Sequence, residues 1–210
     1  MSLILPPTLS PAARAAGHPS AADHRCFGLA LLPPGHPERP SLEAFIASEF
    51  ARVYGARVHH FCHTLAGQRG ADGRWVAALG HTPAAHGPLF LEQYLDRPVE
   101  AAIARHAGHA VTRGDVVEVG NLAATDAGAG RGLIVAMTRH LHAQGMVWVT
   151  FTATRGLLNS FARLKLAPSV LAEADPARLA DGGRGWGSYY ATRPQVMFGN
   201  IGFGHDHLAR

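Results

Sequence analysis

Apolar residues recur along the chain at two different intervals, and each change of interval marks an element. After a proline-rich loop over residues 33–40, Leu42, Phe45, Ile46, Phe50 and Val53 follow helical spacing, with Ser41 as the expected cap and Gly55 as the stop. Residues 58–65 and 74–79 alternate as strands, and the glycine-bearing turn between them predicts a hairpin. Residues 89–95 form a third extended or part-helical piece, and Pro98 opens a helix running to Ala107. Over residues 115–123, Val116, Val117, Val119 and Leu122 fall on both faces, which predicts a strand covered on both sides. A glycine-rich segment, residues 128–132, comes next, followed by a helical stripe of Leu133, Ala136, Met137, His140 and Leu141 that ends at Gly145. Residues 146–152 then give a buried strand, residues 157–164 a helix stopped by Pro168, and residues 186–201 closing strands. The expected architecture is α/β, a mixed central sheet flanked by helices. It occupies one domain over residues 25–202, with a flexible leader (1–24) before it and a polar tail (203–210) after it.

Composition narrows the class. Of 210 residues, 47% are hydrophobic and 16% charged, which suits a chain that buries a core. The net charge of +4 comes from scattered arginines rather than a basic run, which reads as a solvated surface with no specific polyanion, and no nucleic-acid partner is expected. No apolar stretch reaches the ~18 residues of a spanning helix. Cys26 and Cys62 form neither a disulfide framework nor a CxxC pair, so a reducing, cytoplasmic setting is expected. The fourteen histidines show no HExxH or tetrahedral spacing, and no metal is expected.

The chemistry-bearing pattern is a strand, a glycine-rich turn and a helix. Gly128, Gly130 and Gly132 let a backbone approach an anion, a helix N-terminus supplies free N–H groups, and Arg131 adds a charge. The same segment also serves plain helix–strand packing. Glu118 interrupts an apolar strand, where burial would raise its pKa toward that of a general base. Pairing with Arg113 is the equal alternative. Glu92, Tyr94 and Asp96 alternate onto one face, as do Trp148, Thr150 and Thr152, and either face would suit substrate contacts or ordinary strand packing. Cys62 with His60 or His63 lacks an orienting partner and is a weak nucleophile candidate.

The order strand, glycine turn, helix, strand, helix resembles the GNAT acyltransferases, which hold the pantetheine and pyrophosphate of acyl-CoA at this turn. Their Gln/Arg-x-x-Gly-x-Gly/Ala motif is altered: Thr125 or Ala127 stands at the Gln/Arg position, depending on register. Residues 159–166 (NSFARLKL) match a second GNAT segment in part, beginning at Asn159. Residues 89–96 (LFLEQYLD), 117–123 (VEVGNLA), 148–154 (WVTFTAT) and 186–190 (WGSYY) together resemble the thermostable hemolysin family, over roughly residues 42–201. That family is similar in organisation to GNAT enzymes and acyl-homoserine-lactone synthases. The resemblance implies an acyl donor, either acyl-CoA or a phosphopantetheinyl acyl carrier protein. It places Asn121, Leu122, Ala123, Gly128, Gly130, Arg131, Gly132 and Asn159 at the donor, Glu118 as base toward an amine, and Tyr189 (or Tyr190) as proton donor to the leaving thiolate. Its name also implies a membrane-active, non-enzymatic alternative, and the altered motif a binding-only one.

Overall fold

The computed structural model describes residues 25–26 and 28–209; the expected leader over residues 1–24 lies outside them. The core is one eight-stranded sheet in the order β1-β2-β3-β4-β5-β6-β8-β7. Its strands are β1 (Arg25–Cys26), β2 (Leu29–Leu32), β3 (Thr64–Arg69), β4 (Trp75–Pro83), β5 (Val116–Ala124), β6 (Trp148–Ala153), β7 (Ser169–Glu173) and β8 (Gln195–Asn200). All neighbours pair antiparallel except β5 and β6. A parallel pair needs a crossover, and helix α3 (Ala127–Ala143) supplies it.

Helices α1 (Arg39–Tyr54) and α2 (Val99–Ala107) cover one face. There Leu42, Ile46 and Phe50 pack on Leu65 and Ala78, and Val99 and Ile103 on Val116 and Phe198. The other face carries α3, α4 (Arg155–Arg163) and α5 (Ile201–Leu208), with Leu133, Met137 and Ile201 against Leu79 and Val117. Two layers of helix on one mixed sheet is the architecture the sequence predicts.

Gly55 does end α1, at a φ of 66° that donates its N–H back to Ala51. The start differs. Pro40 sits in the first turn and Glu38 precedes the helix, leaving Ser41 inside, where its hydroxyl donates to the Glu38 carbonyl. The hairpin holds with β3 beginning at Thr64; residues 58–63 run alongside as coil. Residues 203–208, expected as a tail, belong to α5, because Asn200 accepts the Phe203 N–H and starts a new turn.

His81 on β4 and His140 on α3 meet with ring centroids 5.7 Å apart, beside a second cavity of about 310 Å³. Among the described residues, neither Nδ1 finds a hydrogen-bond partner. Burial, with His140, His63 and His86 nearby, drives His81 down to about 4. A histidine depressed below its unfolded value stabilises the fold above ~6.5 and loses that contribution as pH falls toward ~4. His81→Gln is therefore expected to flatten the acid limb of a Tm-versus-pH curve over that window. An unchanged limb would show that these rings do not carry it.

Candidate active site: a gap between two parallel strands

Strands β5 and β6 run side by side only briefly. Val116, Val117 and Glu118 pair with Trp148, Val149 and Thr150, and beyond that point they part. The cause is local to β5. One extra residue enters its ladder with β4 between the pairs Ala78–Ala123 and Gly80–Gly120, and Asn121 there adopts a φ of 55°. A bulge of this kind bends its strand. The Asn121 side chain holds the bend: Oδ1 accepts the Cys62 N–H at 2.9 Å, and Nδ2 donates to the His60 carbonyl at 3.0 Å. The glycines opposite one another admit this coil segment. A Cβ on Gly80 would stand 2.5 Å from that of Cys62, and one on Gly120 3.1 Å from its sulfur.

The gap opens into a cavity of about 800 Å³ that passes through the sheet and is bordered by residues from both faces. That volume suits a drug-sized or longer apolar ligand. On the α3–α4–α5 side Ile134, Met137, Leu157 and Phe161 make an apolar wall with Lys165 near its rim. On the α1 side the wall is aromatic. Phe50, Tyr54 and Tyr189 lie within 5.3–6.3 Å of one another, centroid to centroid, and Trp186 stands 5.3 Å from Tyr189 and 6.1 Å from Phe90. The hydroxyls of Tyr94 and Tyr190 share a 2.6 Å hydrogen bond.

Glu118 sits where the strands divide, 6% exposed, and borders the cavity. Its oxygens accept the N–H of Phe90 at 2.8 Å and of Leu91 at 3.2 Å. Burial pushes its carboxyl up to about 7, although those two bonds act the other way. The expected alternative partner is engaged elsewhere: Arg113 bonds Glu92 and Glu100, and donates to the Ala84 and Gly87 carbonyls.

The remaining sequence candidates divide. Tyr94, Asn121, Leu122, Ala123, Gly130, Thr152 and Tyr189 border the cavity with Glu118. Glu92 does not. Residues Phe90–Tyr94 form a 3-10 turn, the part-helical of the two expected forms, and Glu92 closes it by accepting the Leu89 and Val99 N–H groups. Burial alone would raise the Glu92 pKa, but the Arg113 bond and these two hold it below the ordinary value. Asp96 is an exposed partner of Arg178. Thr150 is fully buried and donates to the Met197 carbonyl, while Trp148 packs on Phe198. Asn159 faces solvent from α4, whose Gly156, Leu157, Ser160 and Phe161 face inward. Cys62 borders the cavity, but burial holds its thiol up at about 12, far from a thiolate.

The glycine segment is a correction. Helix α3 begins at Ala127, so Gly128, Gly130, Arg131 and Gly132 form its opening turns rather than a loop. Asp126 caps it, Oδ1 accepting the N–H of Gly128 at 2.7 Å and of Ala129 at 2.9 Å. Those bonds lower the Asp126 pKa, and its carboxylate holds two of the amides at the start of α3. The sequence shows Phe50, Tyr94 and residues 186–190 separately, and the structure joins them into one aromatic wall.

This mixed sheet, with β5 and β6 as a parallel pair that soon parts, is a fold shared with several solved structures. TofI matches in its apo form over 82% of this chain and 90% of its own, at 16% identity and a TM-score of 0.54. FeeM, an N-acyl amino acid synthase from uncultured soil microbes, matches over 82% and 96% at 14% and 0.54. The acyl-homoserine-lactone synthase LasI matches over 82% and 89% at 12% and 0.54. No curated protein matches by sequence. The thermostable hemolysin family model matches residues 32–205, and the chain belongs to that family. No described helix is long and apolar enough to cross a membrane.

Proposed function

We propose that this protein is an N-acyltransferase that moves an acyl group from a thioester donor to an amine. The observation that carries this reading is the apolar cavity through the β5–β6 gap with buried Glu118 at its fork. An acyl chain lies along Ile134, Met137, Leu157 and Phe161, and its thioester reaches the fork. Glu118 removes a proton from the amine, the nitrogen bonds the carbonyl carbon, and the carbon–sulfur bond breaks. Tyr189, whose phenol burial keeps protonated, gives the leaving thiolate its proton. The thioester is already activated, so the site contributes mainly proximity and proton transfer.

Of the two donors, the geometry favours an acyl carrier protein. Coenzyme A brings several phosphate charges, and Asp126 already holds two of the N-terminal amides of α3. A carrier protein delivers one phosphodiester, and its acidic surface suits a chain of net charge +4.

Thermal unfolding tests the reading. A donor that binds only the native state at about 100 times its Kd stabilises by about 2.7 kcal/mol, an upward Tm shift of roughly 5–10 °C for a domain of this size. A medium-chain acyl carrier protein is expected to produce such a shift, and the matched acyl-CoA a smaller one. No shift with either, and no thiol release with an amine present, would sink the acyltransferase reading and leave a membrane-active one to be tested by vesicle leakage.

A further inference from the structure

The α1-side half of the cavity carries more than an acyl donor requires, and it describes the acceptor. Rings from three separate stretches of chain meet there. Phe50 and Tyr54 come from α1, Phe90 and Tyr94 from the turn before α2, and Trp186 and Tyr190 from the segment before β8. Trp186 links the groups: its ring lies 6.4 Å from Phe50, 6.1 Å from Phe90 and 6.0 Å from Tyr190. His60 stacks on Phe90 at 4.8 Å. Each face of such a wall presents the negative end of a ring quadrupole, and a cation within ~6 Å of a centroid is attracted to it.

The charges agree with the rings. Glu118 borders the same space, and both its oxygens accept backbone N–H groups rather than a cationic side chain. Glu49, at the α1 edge, is paired with Arg52. Of the basic side chains bordering the cavity, Lys165 past α4 and His207 on α5 lie at the opposite face of the sheet, and burial lowers the pKa of His60. A cation entering the aromatic half therefore meets the ring cluster, Glu118 and the Arg52-paired Glu49. An α-amino acid would bring its own carboxylate to within a few Å of Glu118 in a desolvated space, a like-charge contact that raises the energy of both.

We infer that the acceptor is an alkyl- or arylalkyl-ammonium compound without a carboxylate, seated on the aromatic wall with its nitrogen toward Glu118. This rests on the acyltransferase reading for its consequence, but the binding itself does not need a donor. The wall holds the body of the amine, the rings and Glu118 hold its charge, Glu118 receives the proton that must leave before the nitrogen can attack, and the second proton, lost as the amide forms, replaces the one Tyr189 gives the thiolate.

The test is direct binding, by calorimetry and ligand-observed NMR, of three probes with one body. These are 2-phenylethylamine, phenylalanine (the same body with a carboxylate) and 2-phenylethanol (the same body without charge). The expected result is that the amine binds at least tenfold tighter than either of the others, and that Tyr54→Leu and Trp186→Leu each weaken it at least fivefold. Two variants from different stretches are used so that one failing to fold, as read by circular dichroism, does not leave the wall unprobed. Phenylalanine binding as tightly as the amine would overturn the inference, as would equal binding of the alcohol, or no binding of any probe with and without acyl carrier protein. Its failure is distinct from that of the acyltransferase reading. Acylation of amino acids alone would refute the acceptor and keep the reaction, whereas amine binding with no donor response would keep the site and refute the reaction.

Discussion

Glu118→Gln is expected to lower the rate of amine acylation by about 10²–10⁴-fold, the usual worth of a positioned general base. The measurement is thiol release from a saturating acyl donor with 2-phenylethylamine. The wild-type rate should rise with pH and level off above about 7, where Glu118 becomes ionised, and the variant should lack that rise. Stability runs the opposite way. The folded pKa is raised above the unfolded value, so the contribution of Glu118 is fully present below ~4.5 and is lost as pH climbs through about 7. The amide keeps an acceptor for one of the two N–H groups of Phe90 and Leu91 and removes a buried charge. These effects oppose each other, so a folded variant with a lost pH profile is the expected outcome. A variant that keeps its rate and its pH rise would remove Glu118 from the chemistry.

The largest structural effect is expected at Gly187. Its φ is 53°, and an added Cβ would fall 2.0 Å from the Tyr54 carbonyl oxygen. No flexible side chain is available to move aside, because the obstruction is the backbone at the end of α1. The contact matters because it docks the segment bearing Trp186, Tyr189 and Tyr190: Ser188 donates its N–H to that same carbonyl at 2.8 Å, and Arg57 donates to the Gly185 carbonyl at 2.6 Å. Backbone strain of this kind costs about 1–3 kcal/mol, and overpacking about as much again. Gly187→Ala is thus expected to lower Tm by roughly 10 °C or more and to remove amine binding even where the fold survives. Gly185→Ala is the control. Its φ of 95° carries strain, but the nearest heavy atom to a Cβ is 4.0 Å away. Equal Tm values for the two variants would show that the docking contact is not the cause.

How much of this was legible follows from the range of each interaction. Strand β5 and its carboxylate could be read because an acidic residue among Val116, Val117 and Val119 is a local anomaly that burial makes chemically meaningful. The stop of α1 at Gly55 and the opening of α2 after Pro98 are likewise properties of one or two residues. Three glycines in five positions weigh against a helix start at Ala127, and the Asp126 cap, a local signal, overrides them. Residues 89–95 satisfy an alternating pattern, yet Glu92 folds back on the Leu89 N–H and turns them into a 3-10 piece. The cavity wall lay beyond local reading. It joins residues near positions 54, 90 and 186, and nothing in any one stretch announces the other two.

The single parallel pair also has a consequence for how the chain assembles. Strands β2 to β5 are joined antiparallel, each to its neighbour, and the unit of β6, β7 and β8 closes through residues 148–200. Only three residue pairs join the two units along β5 and β6, and they form after α3 has carried the chain across. Loop closure of that length is entropically costly and yields little pairing in return. Pairing of β5 with β6 is therefore expected late in folding. A chain halted before it presents two bare strand edges, along β5 and β6, each a template for a second molecule.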